Sequence, residues 1–323
     1  MFRPDYKTLE EFGTLRGLIL AGTVECRNNL KISETATKSK NQYICSMYSL
    51  HNHSTYCDGK ASVQEMISAA CLEKLDHFGL SGHAPVPFEN KWSIASDEKV
   101  EEYCAAIDAA RKTCTSSKIW TGLEADYIPG MTKPFDHWRN KFSIDYLIGS
   151  IHLVENKGQL WFIDGPAEGY DVGLNEIFGG DIHTAVKAFY RQTCEMIESQ
   201  SPDILGHCDK VLMHNRGRYI SFDDPFHLGL LQETILLAAE KNIIVEINTR
   251  GIYRNLHTDY YPGKYIFGFL KENNVHVMLS ADAHMTDQIT GQFQQLKSDL
   301  IAAGIVETWL PERVSDKPVI LTD

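Results

Sequence analysis

Residues 46–54 have the sequence SMYSLHNHS, in which a short apolar run leads directly into His51 and His53. In an extended segment, residues two apart point to the same side, so both imidazoles can bind one metal ion. A single His-x-His pair is a weak indication, because such pairs arise more often by coincidence. Its weight comes from the rest of the chain, where further short strands end in the same kind of residue.

Seven short apolar or β-branched runs alternate with amphipathic stretches along the chain. Such alternation predicts βαβ units and a parallel sheet. Seven units without a Gly-rich dinucleotide loop favour a closed or nearly closed α/β barrel over an open doubly wound sheet. The predicted strands are 46–50, 77–81, 118–123, 146–150, 204–206, 243–247 and 276–280; the predicted helices are 62–74, which begins with a capping box, 97–113, 181–200, 225–241, 265–273 and 286–303; the predicted loops are 90–96 and 153–180.

Metal-type ligands follow six of the seven predicted strands. Because the C-terminal ends of parallel barrel strands converge on one face, side chains that are distant in sequence should meet there in one pocket. Imidazole and carboxylate groups suit Zn, Mn or Fe, and this mixed set is too large for one ion, so two or three ions are expected. The candidate ligands are His51, His53, Asp58, His83, Glu124, His152, His207, Asp282 and His284.

The other seven histidines are expected to have ordinary roles. They are His77, His137, His183, His214, His227, His257 and His276. His77 and His276 lie at strand starts, which form the opposite end of a barrel, so we expect them to be structural. The remaining five are expected to be solvated or capping, although His214 and His257 lie near the predicted mouth and could contact substrate.

The composition is that of a compact globular protein, since 43% of the 323 residues are hydrophobic and 23% are charged. The chain has 31 Lys and Arg against 43 Asp and Glu, a formal net charge of -12. This balance argues against a nucleic-acid or anionic-membrane surface. No apolar run is long enough to span a bilayer, and none near the N-terminus resembles a signal peptide, so a cytoplasmic location is expected.

The N-terminal part of the chain differs from the rest. Residues 1–44 include a polar tract and lack strong periodicity, and they are predicted to be a poorly ordered extension without a catalytic role. No repeat or linker divides residues 45–323, which are predicted to form one barrel domain. The eight cysteines include no CxxC pair and are expected to be mostly reduced thiols.

The strand ends together resemble the motif series of the PHP (polymerase and histidinol phosphatase) metal-dependent phosphoesterases. The matching motifs are residues 49–54, 58–59, 82–83, 122–124, 149–152, 206–207 and 280–284, so the resemblance covers most of the chain. It implies a distorted (β/α)7 TIM-like barrel with a trinuclear site of divalent ions, which would be Mn, Zn or Fe.

The resemblance also implies how the ligands are shared. His51, His53, Glu124 and Asp282 would hold one metal, Glu124 would bridge to a second held by His152 and His207, and Asp58, His83 and His284 would hold the third. Many relatives have a His at the position of Asp58, where a carboxylate is an acceptable ligand. Glu124, Asp282 and His284 are the expected catalytic residues.

Two further segments are similar to the histidinol-phosphatase branch of this family, namely residues 161–166 after His152 and residues 246–251 with a following Tyr-Pro. The expected substrate-binding residues are Arg216, Arg254, Arg250, Trp161 and Asp164. The arginines would donate to phosphate oxygens, unless they form surface salt bridges. Asp164 could orient an ammonium or imidazole, protonate the leaving alkoxide, or cap a loop.

These observations predict hydrolysis of a phosphomonoester, because clustered divalent ions activate a bridging hydroxide and clamp a phosphoryl group. We predict that the protein converts L-histidinol phosphate to L-histidinol and inorganic phosphate in histidine biosynthesis. The alternative is a PHP phosphoesterase acting on nucleoside phosphates or oligonucleotides, and a non-enzymatic alternative is a metal-storing or regulatory protein. The expected partner is a small phosphomonoester, with no nucleic acid or membrane, and the oligomeric state is left open.

Overall fold

The architecture is a nearly closed barrel of seven parallel strands, as predicted. The structure is a computed structural model that describes residues 47–322, so the predicted extension lies outside the described residues. The strands in chain order are β1 (Tyr48–Ser49), β2 (His77–His83), β3 (Lys118–Asp126), β4 (Tyr146–Ser150), β5 (Leu153–Asn156), β6 (Gln159–Phe162), β7 (Ile204–Leu205), β8 (Ile244–Asn248), β9 (Val277–Ser280), β10 (Glu307–Thr308) and β11 (Val319–Ile320). The barrel order is β1-β2-β3-β4-β7-β8-β9, and all its neighbours are parallel.

The two edges of this sheet meet just beyond β1 and β9. Asn52 and Ala283 form a parallel bridge. The amide of His53 donates to the carbonyl of Ala283 at 2.7 Å, and the amide of Ala283 donates to the carbonyl of His51 at 3.2 Å. The contact that closes the barrel is therefore made by the same two segments, 51–53 and 282–284, that carry paired candidate ligands.

Helices cover the outside of the barrel and bury its strands, so that β4 and β8 are buried along their whole length. The helices are α1 (Val63–Leu72), α2 (Asp97–Arg111), α3 (Phe135–Lys141), α4 (Ala167–Phe178), α5 (Ile182–Gln200), α6 (Pro225–Glu240), α7 (Arg250–Tyr253), α8 (Phe267–Glu272) and α9 (Phe293–Ala302). None of the helices in residues 47–322 has the length and hydropathy needed to cross a bilayer.

Tyr146 shows how the barrel interior is filled. Its ring crosses the interior, and its hydroxyl donates to the carbonyl of Leu50 on the opposite side. A Cβ at Gly79 would lie 2.2 Å from the Tyr146 hydroxyl oxygen, and one at Gly122 would lie 2.4 Å from its ring. These two strand positions therefore need glycine, because any larger side chain would displace the ring.

Most predicted elements agree with the structure. The capping box before α1 is present, since the Ser62 hydroxyl accepts from the Glu65 amide and the Glu65 carboxylate accepts from the Ser62 amide. The last predicted helix, 286–303, is instead a 3-10 turn at Thr286–Gln288 followed by α9. Gln292 lies between them with a φ of 62°, a left-handed conformation that interrupts a continuous helix.

The prediction of a loop over residues 153–180 was wrong. This stretch contains the β5–β6 hairpin and α4. The hairpin turns at Lys157 and Gly158, both of which have positive φ as a tight two-residue turn requires. Pro166 stands before α4 and Gly179 ends it in a left-handed conformation, so the sequence carried both signals of a helix.

The expectation of reduced thiols was wrong for one pair of cysteines. Cys71 at the end of α1 and Cys114 after α2 form a disulfide across a sequence separation of 43 residues. Their Cα atoms lie 6.5 Å apart because the chain returns through β2 to bring the two helix ends together. The other cysteines among the described residues, Cys57, Cys104, Cys194 and Cys208, are free, as expected.

Candidate metal centre

The nine candidate ligands come together at the C-terminal ends of the barrel strands. Eight of them are buried, and Asp58, in the loop before α1, has a side chain that is 29% exposed. The donor atoms form three clusters, and within each cluster they lie within 4.8 Å of one another. The clusters are His53, Asp58, His83 and His284; His51, His53 and Asp282; and His83, Glu124 and His152.

Glu124 lies at the centre of the site, with each of its carboxylate oxygens facing a different group of imidazoles. Oε2 lies 3.1 Å from His51 Nε2, 3.4 Å from His53 Nε2 and 3.1 Å from His83 Nδ1. Oε1 lies 2.9 Å from His207 Nε2 and 3.4 Å from His152 Nε2. A carboxylate with this arrangement of neighbours is suited to bridging two ions.

The clusters differ in detail from the sharing that the family resemblance implies. Asp58, His83 and His284 do lie together, but His53 joins them. His83 also faces Glu124, so it lies between two clusters. His207 belongs to none of the three clusters that the described residues form, and it contacts Glu124 directly instead.

The donor set fits divalent cations. Four of the buried side-chain atoms that make no hydrogen bond in the described part of the chain belong to candidate ligands, namely His51 Nε2, His53 Nε2, His83 Nδ1 and Asp58 Oδ1. Burying a polar atom without a partner is costly, so a bound ion that contacts these atoms would stabilise the site. Nitrogen and carboxylate donors of this kind suit Zn, Mn or Fe.

Two carboxylates behind the ligands orient their imidazoles. His51 Nδ1 lies 2.5 Å from Glu246 Oε1, and His152 Nδ1 lies 3.0 Å from Asp126 Oδ2. An Nδ1–H that donates to a carboxylate leaves Nε2 free to face a metal, and it makes that nitrogen more basic. Sequence reasoning gave neither carboxylate a role. Asp126 was detectable, because it lies two residues after Glu124 on one strand and so shares its side.

The charges of the site depend on one another. Burial raises the pKa of Glu124, but the surrounding imidazoles, His51 first among them, hold it well below its usual range. Burial, with the like charges of His284 and His83, lowers the pKa of His53 to about 3. At neutral pH Glu124 is therefore ionised and His53 is neutral, which are the forms of these two groups that bind metal.

Replacing Asp126 with asparagine is expected to weaken metal binding about 10- to 100-fold. The neutral amide of asparagine is a weaker acceptor for the His152 Nδ1–H than the negatively charged carboxylate. Competition with a chromophoric chelator measures this affinity. Asp108→Asn is the matched control, since Asp108 is an exposed carboxylate on α2. Equal affinity in the Asp126 and Asp108 variants would show that Asp126 does not support the ligand.

A cavity of about 190 Å³ adjoins the ligands, and two cationic side chains, Lys210 and Arg250, line it. Lys210 is almost fully buried, and its Nζ lies 2.8 Å from Asp164 Oδ2. Arg250 donates to the Asp282 carbonyl at 2.7 Å, and its Nη1 lies 2.9 Å from His284 Nδ1. Lys210 was not among the predicted residues, although it follows His207 by three positions at the same strand end. The lining residues are Asp58, His83, Asp164, Gly165, Lys210, Met213, His214, Arg250, Leu256, Asp282 and His284.

Of the five predicted substrate-binding residues, Arg250 and Asp164 line this cavity and the other three do not. Trp161 is fully buried, and its indole N–H donates to the Tyr170 carbonyl at 2.9 Å, so it is a core residue. Arg216 donates to the carbonyls of Asn255 and Leu256, which occupies its guanidinium. Arg254 is exposed at the end of α7.

The remaining histidines lie outside the three clusters of the described residues. His214 lines the cavity, with its Nε2 2.7 Å from the Gly165 carbonyl oxygen, and His257 does not line it. His227 was expected to be solvated or capping, but it is fully buried between Tyr190 and Tyr265. Its burial reflects the packing of α6 against α5.

Comparison with known proteins agrees with the fold. A protein of Deinococcus radiodurans that carries the name histidinol-phosphatase is 23% identical over 266 residues, which are 79% of this chain and 92% of that protein. The solved structure of a Listeria monocytogenes protein that carries the name histidinol phosphatase is 20% identical, with a TM-score of 0.68 over 77% of this chain and 99% of its own.

A second solved structure, the histidinol phosphate phosphatase of Lactococcus lactis in complex with zinc, L-histidinol and phosphate, is 17% identical, with a TM-score of 0.64 over 84% of this chain and 99% of its own. At these identities the two structures show a shared fold. The PHP domain model matches residues 49–250, which include seven of the nine candidate ligands. Since this match covers more than half of the chain, the protein belongs to the PHP domain family.

Proposed function

We propose that the protein is a metal-dependent phosphomonoesterase that hydrolyses L-histidinol phosphate to L-histidinol and inorganic phosphate. The observation that carries the proposal is the pairing of the Glu124-centred ligand set with two cations, Lys210 and Arg250, in one cavity. Relatives that carry the name histidinol-phosphatase, and a neighbouring structure that holds histidinol and phosphate, support the choice of substrate.

The ligand set would hold three divalent ions. His51, His53 and Asp282 with Glu124 Oε2 would hold the first; His152 and His207 with Glu124 Oε1 the second; and Asp58, His83 and His284 the third. Bound divalent ions lower the pKa of a coordinated water and neutralise charge on phosphoryl oxygens. Three sites are proposed because ten donor atoms exceed what two tetrahedral ions require.

The protein's own cations would bind and orient the phosphate. The guanidinium of Arg250 is planar and has several N–H donors, and its Nη1 donates to the Asp282 carbonyl. Burial lowers the pKa of Lys210, but Asp164, together with Asp282 and Glu124, more than compensates and raises it, so Lys210 stays charged. Two fixed cations beside the ligands would hold the phosphate in one orientation before reaction, which reduces the entropic cost of the chemical step.

The carboxylate of Asp164 favours a substrate whose leaving group carries a positive charge. Burial raises the pKa of Asp164, but Lys210 and His152 lower it, so this carboxylate is ionised at neutral pH. A substrate with both a phosphate and an ammonium group could place the phosphate near Lys210 and the ammonium near Asp164. L-histidinol phosphate has both groups, whereas a nucleoside monophosphate lacks an aliphatic ammonium.

A substrate panel tests this function. We expect the metal-loaded protein to release phosphate from L-histidinol phosphate with a kcat/KM at least about 100-fold above that for nucleoside monophosphates, since the ammonium contributes a charge-assisted hydrogen bond. Phosphate release is measured under identical metal loading. Equal or greater activity on nucleotides or oligonucleotides would favour the alternative function, and phosphate release from no substrate by metal-loaded protein would contradict both.

A further inference from the structure

Two aromatic side chains pack against residues that line the cavity. The Trp92 ring lies 5.2 Å from that of His83 and 6.4 Å from that of Phe162, measured between ring centroids. Phe162, the last residue of β6, packs over Gly165, where a Cβ would come within 3.0 Å of its ring. His83 and Gly165 both line the cavity, so each ring packs against a residue of its lining.

Packing of the core does not account for these rings. Neither belongs to the hydrophobic core of the described residues, and Phe162 is 37% exposed. The adjacent Trp161, in contrast, is fully buried in that core. Keeping two large apolar rings in contact with water beside a polar site is unfavourable unless a ligand covers them.

The loop that carries Trp92 is fixed in place. The side-chain oxygen of Asn90 accepts from the amides of Trp92 and Ser93 at 3.0 and 2.8 Å. The next residue, Ile94, is fully buried, and its amide donates to the His83 carbonyl at 3.0 Å. The Trp92 backbone is therefore positioned beside His83 before any ligand arrives, which reduces the cost of ordering it on binding.

We propose that Trp92 and Phe162 form an aromatic rim that contacts a planar ring on the leaving group of the phosphomonoester and thereby sets substrate specificity. The proposal rests on the proposed phosphatase function and specifies the class of substrate. Aromatic faces attract planar rings and organic cations. An imidazole or imidazolium ring meets both preferences.

The test compares two substrates that differ only in the ring, L-histidinol phosphate and 2-aminopropyl phosphate. We expect Trp92→Leu to lower kcat/KM for L-histidinol phosphate about tenfold, mainly through KM, and Phe162→Leu to lower it about threefold, because each removes one aromatic contact. For 2-aminopropyl phosphate both variants should change kcat/KM by less than about twofold. Trp92→Phe should restore most of the activity on the ring substrate.

Phe226→Leu is the matched control, since Phe226 on α6 is also 37% exposed. Metal content is measured in every variant. Equal losses on both substrates, or falling metal content, would show that the rings only shield the ligands and would overturn the inference while the phosphatase function stands. If the wild-type protein hydrolyses neither substrate, the proposed function fails, and the inference that rests on it is overturned as well.

Discussion

Replacing Glu124 with glutamine is expected to lower kcat for phosphomonoester hydrolysis by at least about 10³-fold. One carboxylate here faces five imidazoles through its two oxygens, 2.9 to 3.4 Å away. The amide is neutral and its nitrogen cannot bind a cation, so one of the two groups of ligands loses its shared oxygen. The loss should appear in single-substrate kinetics at saturating L-histidinol phosphate, together with a lower bound-metal content.

The matched control for this variant is Glu312→Gln, at an exposed glutamate remote from the strand ends. It is expected to leave kcat within about twofold of the wild-type value. A Glu124→Gln protein that folds, keeps all its metal and turns over at close to the wild-type rate would contradict the bridging role.

Removing the metal is expected to abolish activity and lower the midpoint of thermal unfolding by about 10 °C. An ion present at 1,000 times its Kd stabilises the native state by about 4 kcal/mol. In a protein of this size, each 1 kcal/mol shifts the midpoint by about 2–4 °C. The physical reason is the set of buried donor atoms that lack a hydrogen-bond partner and that a bound cation would satisfy.

Calorimetry before and after chelation measures the shift, and adding back Mn, Zn or Fe should reverse it. The Asp108→Asn protein, treated in the same way, should show the same shift as the wild type, because Asp108 is exposed and remote from the ligands. An unchanged midpoint after complete metal removal would mean that the ligand set is already satisfied without ions.

The sequence predicted the barrel and the meeting of its candidate ligands at one face because both depend on regular geometry. Side chains two apart on a strand share a side, and parallel strands end at one face. These rules need only the positions of the strands, which were correct for all seven in the described part. They do not say which ligands share an ion, and the position of His83 between two clusters depends on tertiary geometry.

The residues around the cavity were harder to predict, because they lie on loops and beside a short hairpin. Trp161 and Phe162 are neighbours on β6, where side chains alternate between faces. The sequence favoured Trp161, but a shift of one residue decides which ring enters the core. Arg216 was plausible by position, yet its φ of 44° places it in a turn where its guanidinium donates to backbone carbonyls of a neighbouring loop.

The bridge between Asn52 and Ala283 connects metal binding to local opening of the barrel. A barrel whose first and last strands meet through so few hydrogen bonds has a seam, and the seam is the place where it would open with the least loss of structure. The ligands on either side of that seam, His53 and Asp282, have donor atoms 3.2 Å apart. An ion bound by both side chains would hold the two edges of the barrel together. Slow amide hydrogen exchange at His53 and Ala283 would then show that the hydrogen bonds between these edges stay formed.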